Sequence, residues 1–467
     1  MMLGWRGQLL RVSLSGGTIK KEPLERESAR AYLGGLGLGA RLNAVEATAP
    51  DAESNLIFMT GPLTGSLAPN GGRYTLIAKD PVGNIIAASI AGNWGAELKF
   101  AGYDGLIFEG SASELSYLWI TDGAAELRSA THLHGKTVAE TTELIRLETD
   151  EKAQVSCVGP AGENGVSFAV VVSDYASAAG AAGIGALMGR KNLKAVVVRG
   201  TQGFRVAQPT NLLELSAKLR RRVAAAPIAL QGCVLYETVL MADALAADDR
   251  APATDIARPR GCLGCASAFS SLVDGTTGTQ LLRLSGEKQP GRVGERLAQY
   301  RRFTDLGLDF LAMKSVLSSL GVKGEDEETA VACRTAFGDG PSATPSQDAQ
   351  ASSGRVQQNE YAPTERSACL VGDYAVIPRL ANCFRCESAH TRGGSQRLMA
   401  ALESAGLCPF VAAVLDAETS AALLQATTGI AFSPEEVLLA GERILESLGA
   451  RGVSQPSAAH AVSAIRG

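Results

Sequence analysis

From residue 56 to residue 198, short apolar runs alternate with clusters of Gly, Pro, Asn and Asp. That beat restricts the first half of the chain to architectures built on sheets. Leu56-Ile57-Phe58-Met59, Tyr74-Thr75-Leu76-Ile77-Ala78, Gly105-Leu106-Ile107-Phe108-Glu109, Tyr117-Leu118-Trp119-Ile120, Phe168-Ala169-Val170-Val171-Val172 and Ala195-Val196-Val197-Val198 each have the length and composition of a strand. Two stretches among them have helical character, Glu25 to Leu33 and Lys136 to Leu147, the second with Thr137 as its cap. Strands that do not alternate strictly with helices predict an α/β fold whose N-terminal domain is rich in sheet. No internal repeat is visible in the sequence. Glycine supplies 52 of the 467 residues, against a usual share of about 7%, which predicts many tight turns and close backbone approaches.

Thr201 to Gln208 reads as a linker, which places a domain at 1–205 and a mainly α-helical region at 206–467. Leu212, Leu213, Leu215, Leu219 and Val223 stand near helical spacing. Ser433-Pro434-Glu435-Glu436 is a helix start, with a capping serine, a first-turn proline and a glutamate able to close a capping box; that helix should run to about Leu448. Residues 340–366, rich in Ser, Ala, Gln, Thr and Pro, read as a flexible insertion. The final stretch, 454–467, reads as frayed.

Composition removes several function classes. Apolar residues make up 46% of the chain, enough for a sizeable core, and the net charge is −4. That balance gives no support to nucleic-acid binding, which needs a basic surface. No run of 18 apolar residues predicts a membrane span, and the start of the chain does not read as a signal peptide, so the expectation is a cytoplasmic protein. Nine cysteines, an odd number, argue against a disulfide framework and for metal ligation or burial.

Four glycine-rich stretches stand out. Gly34 to Ala40 contains GxGxxA, but a helical stretch rather than a strand precedes it, against a dinucleotide fold. Gly61 to Arg73 is a turn-rich segment ending in arginine, suited to an anion or to an ordinary inter-strand loop. Ala179 to Ala195 would let a flat ligand, or another backbone, approach closely. Ala91 to Gly110 opens a short helix with a glycine-bounded tryptophan, then turns into a strand. Cys262-Leu263-Gly264-Cys265 and Cys383-Phe384-Arg385-Cys386 are CxxC pairs suited to zinc or an iron–sulfur cluster. Cys157, Cys233, Cys333 and Cys369 stand alone and read as buried apolar residues. His132-Leu133-His134 reads as a surface turn.

Taken in order, these segments resemble the aldehyde ferredoxin oxidoreductase family of tungsten, sometimes molybdenum, pterin enzymes. The resemblance is dense over 4–200: GPLTG…APxxGR at 61–73, the segment 93–110, GPAGEN at 159–164 and MGxKNLKAV at 188–196. In the second half, Thr304-Asp305-Leu306-Gly307-Leu308-Asp309 looks like a pterin-binding DxxGLD motif, and Glu403-Ser404-Ala405-Gly406-Leu407-Cys408 like DxxGLC, whose cysteine ligates the cluster. The resemblance implies a metal held by two pterin dithiolenes, a nearby 4Fe-4S cluster, Mg2+ as an accompanying ion, and aldehyde oxidation to carboxylate with electrons passed to ferredoxin or another electron-transfer subunit. It also admits a homodimer. The implied pterin and phosphate contacts are Arg73, Gly92, Asn93, Trp94, Gly95, Ala182 and Gly183. The two GL motifs, through Thr304, Gly307, Leu308, Asp309, Glu403, Gly406 and Leu407, would hold the pterin rings.

The implied cluster ligands are Cys262, Cys265 and Cys408. Phe269 stands where the family's C-x-x-C-x-x-x-C pattern has its third cysteine, which leaves Cys383 or Cys386 as replacements. Thr304 and Glu403 replace the leading aspartates of the two GL motifs. Glu287 and His390 are the candidates for the catalytic proton carrier. An alternative to the enzyme is a non-catalytic paralogue, a partner subunit or scaffold in which Phe269 fills space left by a lost cluster. A zinc-stabilised fold using the two CxxC pairs ranks third.

Overall fold

The computed structural model describes residues 2–45, 54–80, 83, 85–173, 177–179, 183–225, 256–259, 263–264, 271–273, 299, 301–322, 324–338, 396–408 and 415–448. The predicted strands form, and with them come six more of the first domain. β1 (Gln8–Ser13), β2 (Thr18–Pro23), β3 (Leu56–Thr60), β4 (Tyr74–Lys79), β5 (Ile85–Ile90) and β6 (Gly105–Glu109) make one sheet in the order β2-β1-β6-β3-β4-β5. β7 (Ser116–Thr121), β8 (Ala124–Ser129), β9 (Gln154–Val158), β10 (Val171–Ser173), β11 (Ser177–Ala179) and β12 (Leu193–Arg199) make a second, which read from its other edge runs β8-β7-β12-β9-β10-β11. The two orders are the same once six is added to each number. Each sheet has one parallel pairing, β1 with β6 and β7 with β12, and is antiparallel elsewhere.

The first domain is therefore a structural duplication, which corrects the reading of no internal repeat. Short helices occupy matching places: α3 (Trp94–Phe100) enters β6 as α6 (Ile184–Arg190) enters β12. Strand register fixes the correspondence residue by residue. Thr60 pairs with Tyr74 as Val158 pairs with Val171, and Met59 pairs with Gly105 as Cys157 pairs with Ala195.

Period-2 alternation sends one face of each sheet into a shared core. Leu56, Phe58, Tyr74, Trp94 and Phe108 of the first repeat pack there with Leu118, Val158, Val171, Ile184 and Val196 of the second. Trp94 lies 4.4 Å from the Tyr74 ring and 5.4 Å from Phe58, and its indole Nε1 donates to the Val196 carbonyl at 2.9 Å. The Tyr74 hydroxyl bonds Ser156 and Ser173 Oγ at 2.8 and 2.5 Å, tying the sheets across the core. The outer faces are covered too, which explains why every residue of β3 is buried. α2 (Gly35–Val45) lies over the first sheet and α4 (Val138–Glu148) over the second.

Thr137 and Glu140 close a capping box on α4, as the capping threonine predicted. The GxGxxA segment is itself helical, forming the start of α2. Helices then dominate. α7 (Pro209–Ala225) follows the linker, and β13 (Ile256–Pro259) pairs with β14 (Ser271–Val273) on either side of the first CxxC. α8 (Phe310–Ser319) and α9 (Glu325–Ala336) pack beside the second sheet's repeat, whereas α10 (Gln396–Ser404), α11 (Ala417–Thr428) and α12 (Pro434–Ser447) pack beside the first. α12 starts at the expected Ser433 capping box and ends at Ser447, with Leu448 as its C-cap. The stretches 340–366 and 454–467 lie outside the described residues.

Candidate functional site

Each repeat ends its third strand in a Gly-Pro turn, and each turn receives the end of a helix. At the first, β3 runs into Gly61-Pro62, and the amide of Leu63 donates to the Ala405 carbonyl at 3.0 Å. At the second, β9 runs into Gly159-Pro160, and the amide of Ala161 donates to the Leu306 carbonyl at 3.1 Å. Glycine is required at both turns. A Cβ on Gly61 would lie 2.2 Å from the Ala405 carbonyl carbon, and one on Gly159 would lie 2.6 Å from that of Leu306.

The incoming helix ends share one geometry. Gly406 (φ +91°) and Gly307 (φ +79°) are left-handed. Gly406 N donates to Glu403 O at 3.0 Å and Leu407 N to Leu402 O at 3.1 Å; Gly307 N donates to Thr304 O at 2.9 Å and Leu308 N to Phe303 O at 2.8 Å. This paired bonding is the Schellman helix stop, completed by a hydrophobic residue after the glycine, here Leu407 and Leu308. The x-x-x-G-L pattern is thus a helix terminus, and it presents Glu403 and Thr304 one turn before the end.

The first pole is charged. Arg73, in the loop leading into β4, is buried; its Nε donates to Ser89 Oγ at 2.9 Å, its Nη2 to the Ser89 carbonyl at 3.0 Å, and its Nη1 lies 3.9 Å from Cys408 Sγ. Glu403 is buried beside it. Burial pushes its carboxyl above the usual range, while the Arg73 charge and the Ser89 hydroxyl pull it back. Its Oε1 has no hydrogen-bond partner. An unmet buried acceptor costs about 1–3 kcal/mol, so this oxygen is suited to a donor on a ligand. The loop that holds Arg73 is pinned by Thr64, whose hydroxyl donates to the Arg73 carbonyl at 2.8 Å and accepts from Gly61 N at 3.0 Å.

Asn70, left-handed at φ +57°, joins two cysteine-bearing segments. Its carbonyl accepts from Cys408 N at 3.2 Å, and its amide donates to the Gly264 carbonyl at 3.0 Å. Gly264 lies inside the CxxC. The fold therefore brings that turn and Cys408 to one residue of the 61–73 loop.

The second pole lacks the charged pair of the first. Val170 stands for Arg73, Ala178 for Ser89 and Thr304 for Glu403. Asp309 stands for Cys408, and its side chain caps α8 by accepting from Ala312 N at 2.8 Å. Asp305 accepts from Ala139 N at 2.8 Å at the start of α4, and burial pushes its carboxyl up.

Family models match at two places. The aldehyde ferredoxin oxidoreductase N-terminal domain covers residues 9–200, both repeats together, and domains 2 and 3 of the same enzyme cover 342–447. The chain belongs to the aldehyde ferredoxin oxidoreductase family.

Within it, the chain is 43% identical over 246 residues to the tungsten-containing aldehyde ferredoxin oxidoreductase of Pyrococcus horikoshii, a match covering 51% of this chain and 40% of that protein. It is 33% identical over 221 residues to the aliphatic sulfonate oxidoreductase, WOR-like subunit, of Pyrococcus furiosus, covering 43% of this chain and 35% of that one. The matches therefore span well under half the length of these relatives. The active-site complex BamBC of benzoyl coenzyme A reductase shares the fold, with a TM-score of 0.73 over 96% of this chain and 89% of that chain, at 22% identity.

Of the segments the resemblance singles out, Glu403–Cys408 meets the Gly61–Arg73 loop and Thr304–Asp309 meets the Gly159 turn. Gly92 (φ +135°), Asn93 and Gly95 lie at the start of α3; a Cβ on Gly95 would lie 3.3 Å from the Arg73 carbonyl. Gly183 (φ +92°) is the matching N-cap of α6. The Trp94 side chain belongs to the inter-sheet core, which leaves only its backbone for a ligand. Cys157 is buried and its thiol pushed up to about 12, and Cys333 is half-buried. His132 and His134 lie at a one-turn surface helix. Ala182, Cys262, Cys265, Cys383, Cys386, Glu287 and His390 lie outside the described residues, as do Cys233 and Cys369. Among the described residues no three His, Cys, Asp or Glu side chains are grouped to hold a metal, and no helix is long and apolar enough to cross a membrane. Sequence reasoning missed Ser89, Thr64 and Asn70. A serine inside the apolar run Ile85–Ile90 was the one available signal.

Proposed function

We propose that the chain is an oxidoreductase that converts an aldehyde and water to a carboxylate and passes two electrons through an iron–sulfur cluster to ferredoxin or an electron-transfer subunit. The observation that carries this reading is the unpartnered Glu403 oxygen beside Arg73 and Cys408, at the end of a helix docked by the family's own GL motif. The donor set fits: a buried carboxylate suits the ring N–H groups of a pterin, and a thiol beside a CxxC turn suits an iron–sulfur cluster. A tungsten or molybdenum bis-pterin, when bound, supplies the two-electron redox chemistry.

The protein's part is then positional. Glu403 and Thr304 would hold the two pterins at their respective poles, with Gly307, Leu308, Gly406 and Leu407 setting the helix ends. Arg73 would lie between pterin and cluster, its orientation fixed by both of its bonds to Ser89. Cys408, Cys262 and Cys265 would ligate the cluster, with Cys383 or Cys386 in the place lost at Phe269. Glu287 or His390 would carry the proton, as a carboxyl or an imidazole can.

The test is aldehyde-dependent reduction of a viologen dye by protein purified without oxygen from its own host, with the carboxylate product identified. Dye reduction with stoichiometric carboxylate supports the reading. Neither activity, in protein carrying no tungsten or molybdenum, would overturn it in favour of the scaffold reading that Phe269 favours.

A further inference from the structure

α7 carries Lys218, Arg220, Arg221 and Arg222, four cations in five positions of a chain whose net charge is −4; Arg220 is half-buried and the other three are exposed. A cation in a helix's last turn is favoured by the helix dipole, which accounts for Arg222. Arg222 is also compensated, 3.8 Å from the Asp416 carboxylate and within reach of Thr419. Lys218, Arg220 and Arg221 have no ion-pair partner among the described residues. At 100° per residue, positions 218 and 221 lie on the helix face away from the buried Leu212, Ser216 and Leu219, and 220 flanks that buried face. Ordinary solvated helices intersperse signs, and here Glu214 is the only acidic residue on α7.

The patch has a particular neighbour. Arg220 Nη2 lies 3.7 Å from where a Cβ on Gly264 would sit, and Gly264 is bonded through Asn70 to the backbone of Cys408. The same corner exposes two large apolar side chains. Leu67 is 51% exposed beside Ala68, whose carbonyl lies 3.2 Å from the same Gly264 position. Leu213 is 57% exposed and shares the Arg220 stripe, seven residues earlier.

We infer that the corner formed by Lys218, Arg220 and Arg221 of α7 with Leu67 and Leu213 is the docking surface for an acidic iron–sulfur electron-carrier protein. The class of partner, an electron carrier, rests on the oxidoreductase reading; the place of the surface does not. Charge complementarity selects the partner: a cationic arc speeds encounter with an acidic protein and sets its orientation. The two leucines supply the small apolar centre that a transient interface needs. Gly264, inside the CxxC, lies against Arg220, so a cluster held by that motif would lie close to this corner.

The test is equilibrium binding of a strongly acidic ferredoxin to the full chain, at low and at high ionic strength. Lys218→Glu with Arg221→Glu, both on exposed positions, should weaken binding about tenfold at low salt, mostly through slower association. High salt should remove most of the difference. The same reversal at Lys20 and Lys21, exposed on the edge strand β2, should leave binding unchanged. Viologen reduction, which needs no docked protein, should be unaffected by either pair. Equal weakening by both pairs, an unchanged affinity in the α7 variant, or no binding by the wild type would each overturn the inference. Salt-sensitive binding lost only in the α7 variant, in protein that oxidises no aldehyde, would keep the docking surface and reject the activity.

Discussion

At the end of β3 a Gly-Pro turn brings Arg73 to a serine, a glutamate and a cysteine. At the end of β9 the same turn, with the same helix stop docked on it, brings Val170 to an alanine, a threonine and a capping aspartate. Main-chain geometry agrees at the two poles to within 0.1 Å in the Leu63–Ala405 and Ala161–Leu306 bonds, while the chemistry diverges. The lesson is that the duplicated backbone builds the cradle and side chains alone decide its charge. Among the described residues, the first pole alone concentrates a cation, a buried acid and a thiol and receives a second cysteine-bearing segment.

The largest effect should come from removing the cation. Arg73→Met leaves Glu403 buried without its compensating charge, and should cost about 3–5 kcal/mol in denaturant unfolding at neutral pH, whereas Val170→Met at the matching position should cost less than about 2 kcal/mol. A loss of equal size at both would break the contrast.

The converse experiment installs the glutamate at the second pole. Thr304→Glu buries a carboxylate opposite valine and should cost about 3 kcal/mol at neutral pH. Adding Val170→Arg should restore part of it if the correspondence of positions is right.

The shared backbone makes a different prediction. Gly61→Ala and Gly159→Ala drive a Cβ onto a helix terminus, and should each cost about 1–3 kcal/mol as overpacking. Urea midpoints that fall at one pole alone would show that the two dockings are not equivalent.

The smallest effect concerns pH. The Glu403 carboxyl is held above the unfolded value of about 4.3, so the folded cofactor-free protein keeps that proton longer than the unfolded chain. Stability from this group is present below the unfolded value and declines as pH rises through the raised folded one. Glu403→Gln should therefore raise cofactor-free stability at pH 8 by about 1 kcal/mol and leave it unchanged at pH 4. A variant equally shifted at both pH values would place the gain in packing instead.

Much of the fold could be read from the sequence where local physics decides it. Six strands showed as apolar runs, and Thr137 and Ser433 announced their helices because a cap is chemistry within four residues. The duplication was hidden because it lives in hydrogen-bond register, which tolerates Trp94 against Ile184 and Phe58 against Ser156. The edge strands β2 and β8 were missed because their exposed residues, Lys20, Lys21 and Glu126 among them, erase the apolar signal. At the site, the GL motifs and Arg73 were legible as resemblances. That Ser89 holds the guanidinium, and that Asn70 couples Cys408 to the CxxC turn, depends on residues up to 338 positions apart, from Asn70 to Cys408, and no local pattern encodes it.

The most direct test of the charged first pole as the redox centre is the metal content of protein purified without oxygen from its host, wild type beside Cys408→Ser. The account predicts tungsten or molybdenum with about four irons per chain in the wild type, and a variant that loses the iron while keeping the heavier metal. Iron unchanged by the substitution, or a wild type carrying neither metal, would contradict it.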